Sequence, residues 1–133
     1  MGNVLTEEFF KIKFKNKKIE EICTNIKKAT LHFGGDKNMA ISLFSRINAL
    51  QQSETIMDII LQSQMRFHKL TNKGKSNNFE GYFAIDVKTK RDKWRLIIEP
   101  LDDNEEKFIP CNIDLIAKIV KIIEIKEVSN HYE

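Results

Sequence analysis

The chain changes its hydrophobic period once, near Arg66, and that change limits the folds open to it. Before it, Ile19, Ile22, Cys23, Ile26, Ala29 and Phe33 recur at three- and four-residue spacing. Such spacing puts them on one side of a helix. Gly34-Gly35 ends that helix, because glycine adopts the left-handed conformation cheaply. Asp36 then caps a second helix whose inner face is Ala40, Leu43, Phe44, Ile47 and Leu50. The short link makes the two an antiparallel pair. A shorter helix follows from Ser53 or Glu54 to about Leu61, carrying Ile56, Ile59 and Ile60. After Arg66 the pattern belongs to strands. Phe67 and Leu70 mark a short one, Gly81 to Val87 and Lys93 to Glu99 two more, joined by a hairpin at Lys88 to Asp92. Pro100 is expected to stop the last of these. The β-branched run Ile119 to Val128 reads as a long final strand, and Asn112 to Lys118 as one or two helical turns.

One strand precedes the helices. Phe10, Ile12 and Phe14 alternate with Lys11, Lys13 and Lys15, a period of two with one face inward. Helices followed by strands indicate an α+β fold, with an N-terminal helical hairpin on one face of an antiparallel sheet. At 133 residues and without a repeat, one domain over 1–133 is expected. No apolar run approaches the ~20 residues of a membrane span. MGNVLTEEFF lacks a basic start before a long apolar segment, so no secretory signal is expected. Cys23 and Cys111 have no metal-ligand spacing, and Cys23 falls on a helix's apolar side. A reduced, cytoplasmic setting is the expectation. No acidic or histidine cluster stands at ligand spacing, so no metal or cofactor is expected.

Charge is unevenly spread. Between Arg66 and Arg95, nine Lys/Arg face three acids (Glu80, Asp86, Asp92), a local +6 in a chain whose total is +3. Phe67, Phe79, Tyr82, Phe83 and Trp94 lie between these charges. A positive sheet surface with interleaved rings suits a phosphate-bearing polymer. Lysine-rich strands also protect sheet edges from aggregation, and charge alone does not separate the two readings.

The order of elements carries a resemblance. So do Arg66-Phe67-His68-Lys69-Leu70, Gly81-Tyr82-Phe83-Ala84-Ile85, Trp94-Arg95-Leu96-Ile97 and the late His131-Tyr132 pair. Together, over roughly 10–133, they resemble the RelE/ParE superfamily of toxins, most of all its HigB-like branch. The resemblance implies a RelE-like fold and a type II toxin–antitoxin system. It implies an endoribonuclease, an mRNA interferase that enters the ribosomal A site, cuts messenger RNA there and inhibits translation. The partner it implies is a helix-turn-helix antitoxin, which would bind operator DNA; no membrane is involved.

Metal-free RNA cleavage through the 2′-hydroxyl needs a base, an acid and cations that hold the phosphate as it gains charge. Arg95 alternates with Trp94 and Leu96, so it is expected to face solvent from the open side of the sheet and stabilise phosphate. The alternative is a surface arginine paired with Glu99 or Asp86. His131 and Tyr132 match the family's ionisable C-terminal cluster. The histidine would serve as base or acid, the tyrosine would stack on a base or orient the phosphate. His68 matches a histidine of HigB-like members; otherwise it is a half-buried histidine with one backbone partner. His32 reads as helix surface without a role. Lys73 and Lys75 are expected to bind RNA, although the loop after Leu70 is longer than the family's. Lys90, Arg91 and Lys93, at the hairpin tip, are expected to contact ribosomal RNA backbone. Asn130 departs from the aspartate that many relatives carry, and an asparagine cannot act as a base. Two other readings stand beside this one: a RelE-fold module that binds RNA or protein without cutting, which Asn130 keeps open, and a gyrase-directed ParE-like toxin, as in another branch of the superfamily that lacks the nuclease residues.

Overall fold

Five strands form one sheet in the order β1-β5-β4-β3-β2, with the helices gathered on one of its faces. The computed structural model describes residues 10–70 and 80–131. In chain order these hold β1 (Lys11–Phe14), α1 (Lys17–Thr24), α2 (Ile26–His32), α3 (Lys37–Gln51), α4 (Ile56–Ile60) and a 3₁₀ turn at Ser63–Met65. Then come β2 (His68–Lys69), β3 (Phe83–Asp86), β4 (Arg95–Leu101), α5 (Ile113–Ile116) and β5 (Ile122–Ser129). The fold is α+β.

The helices start where side chains can satisfy their first amides. Asn16 accepts from the Ile19 amide at 3.0 Å, and Asp36 accepts from Met39 at 3.1 Å. The first helical stretch differs from expectation in being two helices. Asn25 interrupts it in an extended conformation, and its side chain caps the second piece by accepting from Lys27 and Lys28. The apolar stripe survives the break, since Ile22, Cys23 and Ala29 are all buried.

The sheet is not wholly antiparallel. β1 pairs with β5 in parallel, Ile12 beside Ile123 and Phe14 beside Ile125. The intervening helices and strands supply the long crossover that a parallel pair needs. The other three pairings are antiparallel. Pro100 does not end β4, which runs on to Leu101. The β3 ladder has already stopped at Ile98, so Pro100 pairs only with Ile123 of β5. A proline there disturbs at most one ladder instead of two. β5 begins three residues later than expected, because residues before it are taken up in the turn after α5; Ile119 is 63% exposed.

Alternation sorts the sheet residues by face. Phe83, Ile85, Leu96, Ile98, Ile123, Ile125 and Val128 join the helices in the main core. Ala84 and Ile97 point the other way and form a small second cluster with Leu70 and Tyr82. A bulge between Ile97 and Ile98 leaves Lys126 without a cross-strand partner on β4.

Candidate nucleic-acid interface

On the open face, the row of the sheet nearest the β3–β4 hairpin is Asp86, Arg95 and Ser129, paired side by side. Arg95 takes the face expected of it, but not the exposure. Only 2% of the residue is accessible. Its Nη1 donates to the Thr89 and Trp94 carbonyls at 3.3 and 2.9 Å, and its Nη2 to the Lys90 carbonyl at 2.9 Å. The same Nη1 stands 3.3 Å from an Asp86 carboxylate oxygen. The expectation of a solvent-facing phosphate ligand is therefore corrected. A buried guanidinium must be paired and hydrogen-bonded, and Asp86 with the folded-back hairpin supplies both.

Asp86 holds a second arginine. Arg66 donates its Nε–H to the same carboxylate at 3.0 Å, from a left-handed backbone position with φ of 50°. Arg46 of α3 reaches around the end of the sheet. It donates to the carbonyls of Asp86 at 2.6 Å, Gln64 at 3.1 Å and Lys88 at 3.4 Å. Burial lowers the Arg46 pKa, against the attraction of Asp86. Two guanidiniums thus draw the hairpin's carbonyls inward.

The hairpin is also closed from within. Thr89 donates its amide and its hydroxyl to the Asp92 carboxylate, each at 2.9 Å, and Trp94 donates its amide to the same side chain at 2.8 Å. The outer surface of this tip carries Lys88, Lys90, Arg91 and Lys93, all exposed. Lys93 sits at φ of 68°, a conformation that costs an L-residue with a side chain about 1 kcal/mol or more.

The remaining sequence-predicted residues are distributed as follows. His68 lies on β2, half-buried, its Nδ1 2.7 Å from the Arg66 carbonyl. It shares a row with Ala84, Ile97 and Glu127. His131 is exposed two residues past Ser129, and its amide donates to the Ser129 hydroxyl at 3.0 Å. β5 therefore ends beside the basic tip. His68 and His131 are not brought together: β3 and β4 lie between them, about 14 Å across the sheet, and His131 lies beyond Glu127, the β5 residue in the row of His68. Lys73, Lys75 and Tyr132 lie outside the described residues. His32 is half-buried and packed, not free on the helix surface. Its Nε2 is 2.6 Å from the Val128 carbonyl and its ring packs on Phe33 and Trp94.

Farther along the open face the charges balance. Glu99, Glu124 and Lys13 form one row. Lys126 pairs with Glu99 at 3.2 Å and with Glu124 at 2.5 Å. Burial disfavours its ammonium, but the hydrogen bonds to Glu124 and Glu99 outweigh that and hold its pKa above the ordinary lysine value. Glu105 bridges Lys11 and Lys13, and these bonds depress its pKa to about 2. Among the described residues, no group of three or more His, Cys, Asp or Glu is placed to hold a metal ion.

Sequence reasoning missed Arg46 and Arg66 as partners of this site, and named Asp86 only as the alternative partner of a surface Arg95. A signal existed for Asp86. It is an acid in an otherwise apolar strand, in phase with the buried Ala84, and a charge so placed requires a partner. Arg46 flanks the apolar stripe of α3 next to Ile47 and gave no comparable sign. No family model, curated protein or solved structure matches the chain.

Proposed function

We propose that the protein binds the phosphate backbone of RNA through the basic end of its sheet and acts as a RelE-type toxin that cuts ribosome-bound messenger RNA. The observation that carries this is the tip of the β3–β4 hairpin, where four exposed cations stand on a backbone held by Arg46 and Arg95. Exposed cations on a held hairpin suit a polymer backbone better than an enclosed small molecule. In this reading Lys88, Lys90, Arg91 and Lys93 take the phosphate-binding part first expected of Arg95. His131, exposed beside the tip, is the proton carrier, with Tyr132 following it. A cytoplasmic setting and a helix-turn-helix antitoxin belong to the same proposal, on the strength of the resemblance.

Primer extension on message from cells expressing the protein tests the reading. Cuts within translated frames, absent for His131→Ala, are the expected result. An intact message in cells whose growth is arrested would refute cleavage. Binding to RNA alone should weaken with salt, with a slope of log K against log salt of about −3 for four phosphate contacts on single-stranded RNA.

A second reading, RNA binding without cutting, is favoured by two observations. Both Nη groups of the buried Arg95 are taken up by the hairpin carbonyls and Asp86, and His68 stands three strands away from His131. Salt-sensitive binding with no cleavage on the ribosome is the outcome that selects it.

A further inference from the structure

The tip of the β3–β4 hairpin presents its backbone as well as its side chains. The carbonyls of Asp86, Lys88, Thr89, Lys90 and Trp94 all accept from Arg46 or Arg95 on the inner side. The amides of Thr89, Asp92 and Trp94 are used within the turn. The amides of Lys90 and Arg91, two successive N–H groups at the crown, make no hydrogen bond to any described residue. With the negative ends of the local peptides turned in, the crown has an electropositive backbone ringed by Lys88, Lys90, Arg91 and Lys93. Successive free N–H groups in a turn are a known means of holding an anion.

We propose that the amides of Lys90 and Arg91 form a cradle for one phosphodiester or phosphate group, and that Arg95 is the positioning residue that keeps the cradle open. The cradle takes the anion's oxygens on its two N–H groups while the four side chains neutralise its charge and that of its neighbours. Arg95 does not touch the anion. From beneath, its planar fork holds the Lys90 and Thr89 carbonyls, which fixes the direction of the peptides that follow. A lysine at this position would keep the charge but not the fork. The inference rests on the RNA-binding reading for its natural ligand, and on the turn alone for its anion chemistry.

The experiment is a pair of amide-resolved NMR titrations of the full chain, one with inorganic phosphate and one with a ten-nucleotide oligouridylate. The Lys90 and Arg91 amide signals are expected to move farther than any others and to saturate. Movement with phosphate but no binding of the oligonucleotide would support the cradle and defeat RNA as its ligand. If neither titration moves these two amides, the cradle does not exist. Arg95→Lys, which retains every exposed cation, is then measured against the oligonucleotide. About tenfold weaker binding is expected, the worth of one hydrogen bond to a charged group. Undiminished affinity in a variant whose melting stays cooperative would overturn the positioning role. Should that variant fail to fold, the titrations of the unaltered chain still decide the cradle.

Discussion

Replacing Arg95 by alanine should unfold the protein more readily, a result opposite to that expected of a solvent-facing catalytic arginine. An exposed arginine removed from a sheet changes stability by no more than about 0.5 kcal/mol. Arg95, at 3% side-chain exposure, leaves behind an equally buried Asp86 and three hairpin carbonyls. Breaking one side of a buried pair costs about 3–5 kcal/mol. Arg66 remains on Asp86 at 3.0 Å, and the Thr89 and Lys90 carbonyls can turn to water at the exposed tip. These two facts place the cost near the lower bound, about 3 kcal/mol. For a chain of this size a urea m-value of about 1.5–2 kcal/mol/M turns that into a fall of roughly 1.5–2 M in the unfolding midpoint. Removing Asp86 as well should restore part of the loss, because the carboxylate is no longer stranded. The Asp86→Ala, Arg95→Ala pair should then show a coupling of about 2 kcal/mol. A midpoint within about 0.3 M of the unaltered chain would refute the argument, since the guanidinium would then be solvated and free for chemistry.

Glu105, with its pKa held at about 2 by hydrogen bonds from Lys11 and Lys13, stabilises the fold above its ordinary value of 4.5. That contribution should fade as pH falls from about 4.5 toward 2, and Lys11→Ala should move the Glu105 carboxylate's NMR titration upward. Lys93→Gly should relieve the left-handed backbone at φ of 68° and raise the melting temperature by a few degrees, about 0.5–1 kcal/mol, while weakening RNA binding. A lower melting temperature would show that Lys93 is held by contacts, not strained. Cys23 is 4% exposed with its thiol pKa pushed up to about 12 by burial. In a Cys111→Ser background it should therefore resist thiol reagents at pH 8 until denaturant is added, and rapid native-state labelling would contradict its burial. Deleting residues 131–133 should leave a cooperative melt within about 2 °C of the full chain, as among the described residues the exposed His131 bonds to Ser129 alone. The same deletion should abolish cleavage of ribosome-bound message, and full activity in the deletion would move the chemistry away from the tail.

What was legible in the sequence was what period alone determines. The α3 stripe from Ala40 to Leu50 is buried at Ala40, Leu43, Ile47 and Leu50 as the spacing requires. The alternation in Trp94-Arg95-Leu96-Ile97 correctly assigned the two faces of β4. Period could not reveal pairing direction. β1 has the same alternation whether it meets β5 in parallel or not, and nothing local marks the choice. Nor could it convert face into exposure. Arg95 lies on the open face and is nevertheless buried, because the hairpin folds its carbonyls back over the guanidinium. That covering depends on Thr89 and Lys90, which the sequence showed only as a polar connection. Asn25 was overlooked for a related reason. Within a strong apolar stripe, one asparagine changes the helix count without changing which residues are buried.

The distribution of charge on the open face determines where a polyanion can lie. Strands stand about 4.8 Å apart and residues on one face recur about every 6.7 Å along them. The Debye length in physiological salt is about 8 Å, so a phosphate senses roughly one row of neighbours and little beyond. Around Glu99 and Glu124 that neighbourhood holds Lys126, already shared between those two carboxylates, and Lys13, already paired with Glu105, and Glu127 lies in the next row. A phosphate brought there would have to break an ion pair before gaining a contact. At the hairpin the cations are exposed, and the buried Asp86 is already matched by Arg66 and Arg95. Among the described residues of the open face, the positive field that a polyanion would meet is therefore confined to the hairpin end, although bases occur on every strand but β3. Reversing Lys90 and Arg91 to glutamate should abolish RNA binding. Reversing Lys13 should disturb only its bond to Glu105, and equal losses from the two changes would mean that RNA spans the whole open face.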